Sequence, residues 1–174
     1  MEIESKYLID ECLPFDLESF EKKEIEQAYI NRKPTIRVRK QNDRYILTVK
    51  FQNGPDNNDV LCNEEHETDI DVETYERLKA KRDGNVIKKT RYFVPLSPYE
   101  CLGSTVEVKA EIDIFHGQLE GLRFAEVEFP SVEAASAFEP PKWMRLNVSG
   151  DKKYKNGYLS TVTDISDIAS RADK

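Results

Sequence analysis

Charged side chains of like sign recur two residues apart in this sequence. Residues i and i+2 of a β-strand lie on the same face, so each such pair would point in one direction. Like charges on one face repel each other and cost stability unless something neutralises them. The basic pairs are Arg37 with Arg39 and Lys89 with Arg91, and the acidic pairs are Glu2 with Glu4, Glu65 with Glu67, Glu111 with Asp113, and Glu126 with Glu128.

One kind of ligand would neutralise both sets of pairs. A multivalent anion such as a polyphosphate would neutralise the basic pairs, together with Lys6, which follows Glu4 on the same face, and Lys50, which ends the run Leu47-Thr48-Val49-Lys50. A divalent cation that prefers oxygen ligands would neutralise the acidic pairs. The pattern therefore indicates a site for a metal–polyphosphate complex.

For any one strand, a simpler explanation competes with this hypothesis. A half-buried strand of an antiparallel sheet places apolar residues inward and charged residues outward, where charged residues mostly lie. A solvent-exposed face, however, usually mixes uncharged polar residues with charges of both signs. The succession of single-sign pairs therefore favours a charged interior, with an apolar outer face that is covered by helices.

Period-two alternation of β-branched and aromatic residues predicts eight strands. They span residues 2–9, 24–31, 34–40, 44–50, 63–71, 86–95, 104–115 and 122–130. Turn residues such as Asp83-Gly84 separate them. An antiparallel sheet of this size exposes its edge strands unless it closes on itself. The predicted fold class is therefore α+β: a closed eight-stranded antiparallel β-barrel with short flanking helices.

The remaining segments with regular patterns are short and helical. They lie near residues 16–21, 72–81 and 131–138 and in the stretch after Tyr154. Asp71, or the Glu73-Thr74 pair, is the candidate cap of the second helix, and Ser131 begins the third. No repeat, low-complexity segment or linker divides the sequence, so residues 1–174 are predicted to form a single domain.

Composition excludes several classes of function. The 174 residues are 34% charged and carry a net charge of −7, whereas a general nucleic-acid-binding protein would show a basic excess. The apolar runs are far shorter than the roughly 20 residues that a membrane span needs. The alternately charged opening residues lack the pattern of a signal peptide, so the expected location is the cytoplasm.

The same residues carry a resemblance to a known family. The chain resembles the CYTH domain proteins, the triphosphate tunnel metalloenzymes, because Glu2-Ile3-Glu4-Ser5-Lys6 fits their E-x-E-x-K signature. The similarity covers almost the whole chain in the same order and spacing. It continues through Ile36-Arg37-Val38-Arg39, Leu47-Thr48-Val49-Lys50, Glu65-His66-Glu67, Lys89-Thr90-Arg91, Glu111-Ile112-Asp113, Ala125-Glu126-Val127-Glu128 and Val148-Ser149-Gly150-Asp151.

The resemblance implies a role for each charged position. It implies Mg²⁺ or Mn²⁺ as the cofactor, and carboxylates are suitable ligands for such hard cations. The metal ligands would be Glu2, Glu4, Glu126 and Glu128. The phosphate contacts would be Lys6, Arg37, Arg39, Lys50, Lys89 and Arg91, with Lys153 as a seventh and Lys152 as an equally placed alternative.

Hydrolysis of a terminal phosphoryl group needs an in-line water and neutralised oxygens. The candidates for orienting that water, or for holding a second metal, are Glu65, Glu67, Glu111 and Asp113. Some members of the family are thought to activate water with a Tyr–Lys pair, and Tyr29 and Lys89 stand at matching places. A tyrosine in a β-rich stretch is also typical of plain packing, and that alternative stays open.

The predicted function is metal-dependent hydrolysis of a triphosphate, with inorganic tripolyphosphate as the favoured small-molecule substrate. Alternatives within the family are thiamine triphosphatase, nucleoside or RNA 5′-triphosphatase, and a class IV type adenylate cyclase, which must also seat adenine and ribose. A rival outside enzymes is a non-hydrolytic module that binds polyphosphate or a nucleotide. The resemblance leaves the oligomeric state open, a homodimer included.

Overall fold

A computed structural model describes residues 2–52 and 61–169 of the chain. Seven residues are placed by their backbone alone, among them the predicted metal ligand Glu2; the others are Gln52, Leu61, Cys62, Asn63, Asp167 and Ala169. The strands are β1 Glu2–Ile9, β2 Lys22–Arg32, β3 Thr35–Gln41, β4 Arg44–Gln52, β5 Leu61–Asp69, β6 Ile87–Pro95, β7 Tyr99–Cys101, β8 Ser104–Val106, β9 Lys109–His116, β10 Arg123–Glu128 and β11 Met144–Asn147. The helices are α1 Val72–Lys79, α2 Val132–Ala137, α3 Asn156–Leu159 and α4 Ser166–Ala169, with 3-10 turns at Leu17–Ser19, Gly117–Leu119 and Lys152–Tyr154.

The main sheet is antiparallel throughout. Within the described ranges it holds nine strands in the order β10-β9-β6-β2-β3-β4-β5-β1-β11, and β10 pairs in addition with β1. Strand β1 pairs with β5 through Glu2–Glu4, with β10 through Glu4–Leu8, and with β11 near its carboxyl end. β7 and β8 form a separate hairpin. An α+β architecture that is mostly antiparallel sheet is therefore confirmed.

Most predicted strands differ from the observed ones by two residues or fewer at each end. The predicted strand 104–115 is wrong as a single element: β8 pairs with β7 around a turn in which Leu102 has a φ of 51°, and β9 begins at Lys109. The predicted number of eight is also wrong for the main sheet. Strand β11 was missed because its four residues are too few to show a period.

The predicted caps are observed at two of the helices. The Asp71 carboxylate accepts a hydrogen bond from the Thr74 amide at 2.7 Å and begins α1, and the Ser131 hydroxyl accepts from the Ala134 amide at 3.1 Å and begins α2. The first predicted helix, 16–21, is wrong and is a single 3-10 turn instead, because the backbone becomes extended at Phe20. In the described part of the stretch after Tyr154, up to residue 169, two short helices are present rather than one.

Apolar side chains cover the face of the strands opposite to the charged pairs. Ile3, Tyr7, Val127 and Phe129 belong to a cluster that Trp143 and α2 help to bury. A smaller cluster joins Ala28 and Val38 to Tyr75 of α1, and a third packs the carboxyl-terminal helices against one end of the sheet. Among the described residues no helix is both long enough and apolar enough to cross a membrane.

Besides this apolar packing, hydrogen bonds to backbone carbonyl groups join the carboxyl-terminal segment to the rest of the chain. Arg32 Nε donates to Gly157 O at 3.0 Å, and the Arg32 guanidinium also pairs with Asp83. The backbone amide of Asn85 donates to Ser160 O at 2.6 Å. Gly84 has a φ of 93°, and a β-carbon at this position would lie 2.5 Å from Ser160 O. The turn after α1 and the helix α3 therefore fit each other closely.

Candidate active site

A cavity of about 1060 Å³ runs along the charged face of the sheet. Its described lining contains eleven basic and six acidic side chains, although the whole chain carries a net charge of −7. The basic residues are Lys6, Lys23, Arg32, Lys33, Arg37, Arg39, Lys50, Arg91, Lys109, Lys152 and Lys155, and the acidic residues are Glu4, Glu65, Glu67, Glu111, Glu126 and Glu128. Positive charge is thus concentrated around the cavity.

The cavity brings together most of the residues that the sequence singled out. Those that line it are Glu4, Lys6, Tyr29, Arg37, Arg39, Lys50, Glu65, Glu67, Arg91, Glu111, Glu126 and Glu128. Lys89 and Asp113 lie behind the wall, with side chains that are 1% and 0% exposed. Among the described lining residues, Lys152 and Lys155 represent the segment in which Lys153 was predicted.

Strand register explains why the charges converge. On β1 the side chains of Glu4 and Lys6 face the cavity, whereas Ile3 belongs to the apolar core. In the β1–β10 pair, Glu4 stands opposite Glu128 and Lys6 opposite Glu126. Because directly opposed residues share a face of the sheet, alternation on one strand enforces alternation on the next.

The arginines and lysines on one side of the cavity are held by two glutamates of β5. Arg37 Nη2 donates to Glu65 Oε1 at 3.0 Å, and Lys50 Nζ lies 3.1 Å from Glu65 Oε2. Burial by itself would lower the pKa of Arg37, and the Tyr29 and Glu65 side chains outweigh it, so that pKa is raised. Glu65 therefore neutralises two of the cations expected to bind phosphate.

Arg39 is the least compensated of these cations. Its Nη1 lies 3.9 Å from Glu67 Oε1, which is too long for a hydrogen bond. Burial, and then the charges of Arg37 and Arg91, lower the pKa of Arg39 to about 10. The Nε atoms of Arg37 and Arg39 are buried and have no hydrogen-bond partner among the described residues. An anion would supply the acceptors that these donors lack.

On the opposite side, Arg91 joins three carboxylates. Its Nε and Nη2 donate to the two oxygens of Asp113, both at 2.7 Å, and it also pairs with Glu111 and Glu126. Burial acts to lower the pKa of Arg91, and the charges of Asp113 and Glu126 outweigh it and raise that pKa well above its ordinary value. The guanidinium is therefore charged and tightly oriented.

Lys89 shares Asp113 with Arg91. Its ammonium group pairs with Asp113 Oδ2 and lies 5.4 Å from the centre of the Phe115 ring. Burial, and then the neighbouring Arg91, lower the pKa of Lys89 to about 8. The buried position of this pair suits it to hold Arg91 in place from behind.

Glu126 is held by cations of two strands. Lys6 Nζ lies 2.9 Å from Glu126 Oε1 and donates a second hydrogen bond to Tyr154 O at 2.9 Å. Burial acts to raise the pKa of Glu126, and the charges of Lys6 and Arg91 outweigh it and lower that pKa well below its ordinary value. The carboxylate is therefore ionised.

The pKa of Glu128 is shifted in the opposite direction from that of Glu126. Burial, followed by the negative charges of Glu111 and Glu4, raises the pKa of Glu128. Negative charge is thus in excess at this part of the cavity. Across the described side chains, no group of three or more Asp, Glu, His or Cys residues is arranged closely enough to bind a metal ion.

Sequence reasoning missed several basic residues of the cavity. Lys23 could have been found, because it lies four and six residues before Gln27 and Tyr29 on the same face of β2. Lys23 and Lys109 lie 4.9 Å and 4.6 Å from the centre of the Phe93 ring. Lys33 lies between β2 and β3, where no strand period predicts the direction of a side chain.

Comparison with known proteins decides the family. An inorganic triphosphatase of Nitrosomonas europaea is 34% identical to this chain over 163 residues, which are 91% of this chain and 96% of that relative. The chain belongs to the inorganic triphosphatase family. A second inorganic triphosphatase, from Acetivibrio thermocellus, is 35% identical over 136 residues, which are 76% of this chain and 77% of the relative.

A solved structure of the inorganic triphosphatase family also resembles the fold. The crystal structure of the inorganic triphosphatase NE1496 has a TM-score of 0.64 and 29% identity, and the match covers 94% of this chain and 97% of that one. No family model matches the chain. The structural match therefore covers nearly the whole chain.

Proposed function

We propose that this chain hydrolyses inorganic tripolyphosphate to pyrophosphate and phosphate. The observation that carries the proposal is the cavity, whose described lining holds eleven basic side chains and six acidic ones, an excess of positive charge that a polyanion would neutralise. Two relatives of similar length are named inorganic triphosphatases, which supports this reaction. Tripolyphosphate is small and highly charged, so a site that grips only phosphates is sufficient for it.

In this proposal the eight strands of the main sheet other than β11 form a closed barrel of the CYTH type, and the cavity is its tunnel. Support comes from β1, which pairs with β5 through Glu2–Glu4 and with β10 through Glu4–Leu8. Strands β5 and β10 stand near the two ends of the strand order, so their shared neighbour brings the ends together. A tunnel would hold a linear polyanion with cations on all sides.

The phosphate groups would be bound by Lys6, Arg37, Arg39, Lys50 and Arg91. Arginine suits this task because its planar fork matches two oxygens of a phosphate, and lysine adds a compact charge. All of these cations except Arg39 pair closely with carboxylates of the protein, so substrate oxygens would replace protein oxygens. Lys89 and Asp113 would keep Arg91 aimed, since neither lines the cavity. Lys152 and Lys155 would meet the substrate from the carboxyl-terminal segment.

A divalent cation, Mg²⁺ or Mn²⁺, would bind Glu4, Glu126 and Glu128, together with Glu2. The described carboxylates are too far apart to bind an ion as they stand, so they would have to move together on binding it. The donor type fits, because hard cations prefer carboxylate oxygens and share them with phosphate oxygens. The pKa of Glu128 is raised by burial and by the charges of Glu111 and Glu4. This excess of negative charge around Glu128 supports the assignment of the metal to this part of the cavity, because a cation would neutralise it. When bound, such an ion polarises phosphoryl oxygens and makes bound water more acidic.

A substrate panel tests the proposed function. Purified protein would be incubated with Mg²⁺ and tripolyphosphate, ATP, thiamine triphosphate or pyrophosphate, and phosphate, pyrophosphate and cyclic AMP would be measured separately. We expect tripolyphosphate to be cleaved fastest, to equal amounts of pyrophosphate and phosphate. Cyclic AMP as the main product from ATP would contradict the hydrolase, and tight binding of every triphosphate without turnover would indicate a sensor.

A further inference from the structure

Gln27 is a buried polar residue in the wall of the cavity that the charged-pair pattern does not include. It lies on β2 between Ile25 and Tyr29, which both line the cavity, and its side chain has no exposed surface. Its Nε2 donates to the Tyr29 hydroxyl at 3.4 Å, whereas its Oε1 has no hydrogen-bond partner among the described residues. A buried acceptor without a donor costs stability, so its retention requires a reason.

The neighbouring strand presents two further polar atoms without partners. In the β2–β3 pair, Gln27 stands opposite Arg39 and Tyr29 opposite Arg37. The Nε atoms of both arginines are buried and have no partner within the described chain. One acceptor and two donors thus lie on adjacent positions of the same face, beneath the place where the guanidinium groups would meet substrate.

The chemistry of these atoms decides what each can bind. The arginine donors suit phosphate oxygens, but the Gln27 carbonyl needs a donor, and an ionised phosphate oxygen has no hydrogen to give. A metal ion is disfavoured there, because Arg37 and Arg39 would repel it. Water is the remaining component of a hydrolytic reaction, and it donates hydrogen bonds.

We propose that Gln27 Oε1 holds the water that attacks the terminal phosphorus, an assignment that rests on the proposed function. Tyr29 would help from beside it, because its hydroxyl oxygen accepts from Gln27 Nε2, which leaves its own hydrogen available to the water, and its side chain lines the cavity. The amide fixes one hydrogen of the water and leaves an oxygen lone pair free to face the substrate. A glutamine that orients water in this way fits a reaction that needs positioning more than covalent help.

The reaction step balances without any further reactant. The water oxygen forms a bond to the terminal phosphorus, and the bridging P–O bond breaks with its electron pair passing to pyrophosphate. One proton of the water passes to a non-bridging phosphate oxygen, and the products are phosphate and pyrophosphate. Gln27 neither gains nor loses a proton in this step, so its contribution is the position of the water.

Access of water to the Gln27 side-chain amide would depend on substrate binding. Gln27 has no exposed surface in the ligand-free chain, so a lining neighbour must move before water reaches it. Arg39 is loosely held, with its Nη1 3.9 Å from Glu67. The movement that brings Arg39 to a phosphate would therefore also open the water site, and water would be admitted beside a bound substrate.

Gln27→Met tests the proposal, because methionine keeps the length of the side chain and removes its polar atoms. We expect kcat for tripolyphosphate to fall about 10- to 100-fold, as for a misplaced reactant. The dissociation constant of an imido-bridged tripolyphosphate analogue, measured by calorimetry, should stay within about twofold. The melting temperature should not fall, because the change removes an unpaired buried acceptor. The matched control is Gln118→Met, the same change at an exposed residue, which should behave like the wild type.

A double-mutant cycle with Tyr29→Phe provides the second measurement. If both residues act on one water, the two losses of kcat should not add. Unchanged kcat in Gln27→Met, fully additive losses, or a fall in melting temperature together with weaker analogue binding would each overturn the proposal. Failure of the proposed function is distinguishable, because the wild type itself would then release no phosphate from tripolyphosphate, and the assignment of Gln27 would fall with it.

Discussion

Arg91 on β6 reaches past the intervening strand β9 to form an ion pair with Glu126 on β10. One partner is a proposed phosphate contact and the other a proposed metal ligand. Lys6 binds the same carboxylate, and Lys50 lies 3.8 Å from Glu4, another proposed ligand. In the ligand-free chain the two halves of the site thus neutralise each other. Anion and cation binding should therefore be coupled, since each releases groups that the other needs.

Glu126→Gln separates binding from catalysis. Loss of the carboxylate charge should abolish hydrolysis and yet strengthen the binding of tripolyphosphate in the presence of a chelator, because Lys6 and Arg91 are no longer neutralised. We expect a dissociation constant lower by about tenfold, which corresponds to roughly 1.4 kcal/mol. Calorimetry measures it, with Glu73→Gln on the surface of α1 as the control. Weaker metal-free binding in Glu126→Gln would contradict the coupling.

Arg39→Met should lower activity without lowering stability. The guanidinium is buried, lacks a close carboxylate, and has a pKa lowered to about 10 by burial and by the charges of Arg37 and Arg91. Removing it should cost about 100-fold or more in kcat, because a charge that stabilises the transferring phosphoryl group is lost. Unfolding free energy should stay equal or rise by about 1 kcal/mol. Arg44→Met, at an exposed ion pair on the same hairpin, is the control; a destabilised Arg39→Met protein would contradict this account.

Glu128 should make the stability of the ligand-free protein depend on pH. Its folded-state pKa is raised by burial and then by Glu111 and Glu4, so between the unfolded and folded values the folded state holds more protons. Stability therefore decreases as pH rises through that interval. Glu128→Gln should melt at a higher temperature than the wild type at neutral pH, and the difference should disappear in acid. Thermal unfolding of both proteins at constant ionic strength, between about pH 4 and 8, measures this difference, because ordinary glutamates titrate at about pH 4 to 5. Equal melting temperatures of Glu128→Gln and the wild type at neutral pH would refute the prediction.

Removal of divalent cations should abolish activity reversibly. Because four carboxylates are assigned to one ion, dialysis against a chelator should eliminate phosphate release, and Mg²⁺ or Mn²⁺ should restore it. The same ions with tripolyphosphate should raise the melting temperature more than chloride of equal ionic strength, since a ligand that binds only the folded state stabilises it. Full hydrolysis after thorough dialysis into chelator would disprove the assigned role of these carboxylates.

The sequence predicted which residues belong to the site better than it predicted how deeply each side chain is buried. Alternation on one strand placed Glu4 and Lys6 on a common face correctly, because the period of a strand is a local property. The same rule predicted that Lys89 and Arg91 would both face the cavity, but Lys89 lies behind its wall with Asp113. Which member of a pair reaches the cavity depends on how neighbouring strands and the Phe115 ring cover it, and that information is distributed over distant segments.

The carboxyl-terminal lysines illustrate a different limit. Lys152 and Lys155 line the cavity, while the sequence could not choose between Lys152 and Lys153. Residues 152–154 form a 3-10 turn, which has three residues in each turn, so positions three apart face the same side. A strand period would have assigned Lys152 and Lys155 to opposite faces, because side chains three apart alternate in a strand.

The close contact between Gly84 and Ser160 O helps to position a wall of the cavity that is separate from the sheet. Lys152, Lys155 and Tyr158 reach the cavity from a segment that is joined to the sheet by Arg32 and by backbone hydrogen bonds, rather than from the sheet itself. The chemistry of the strands can therefore stay constant while this segment changes its length or its charges. Substrate preference within such an architecture can diverge at the wall, at positions that carry none of the charged pairs.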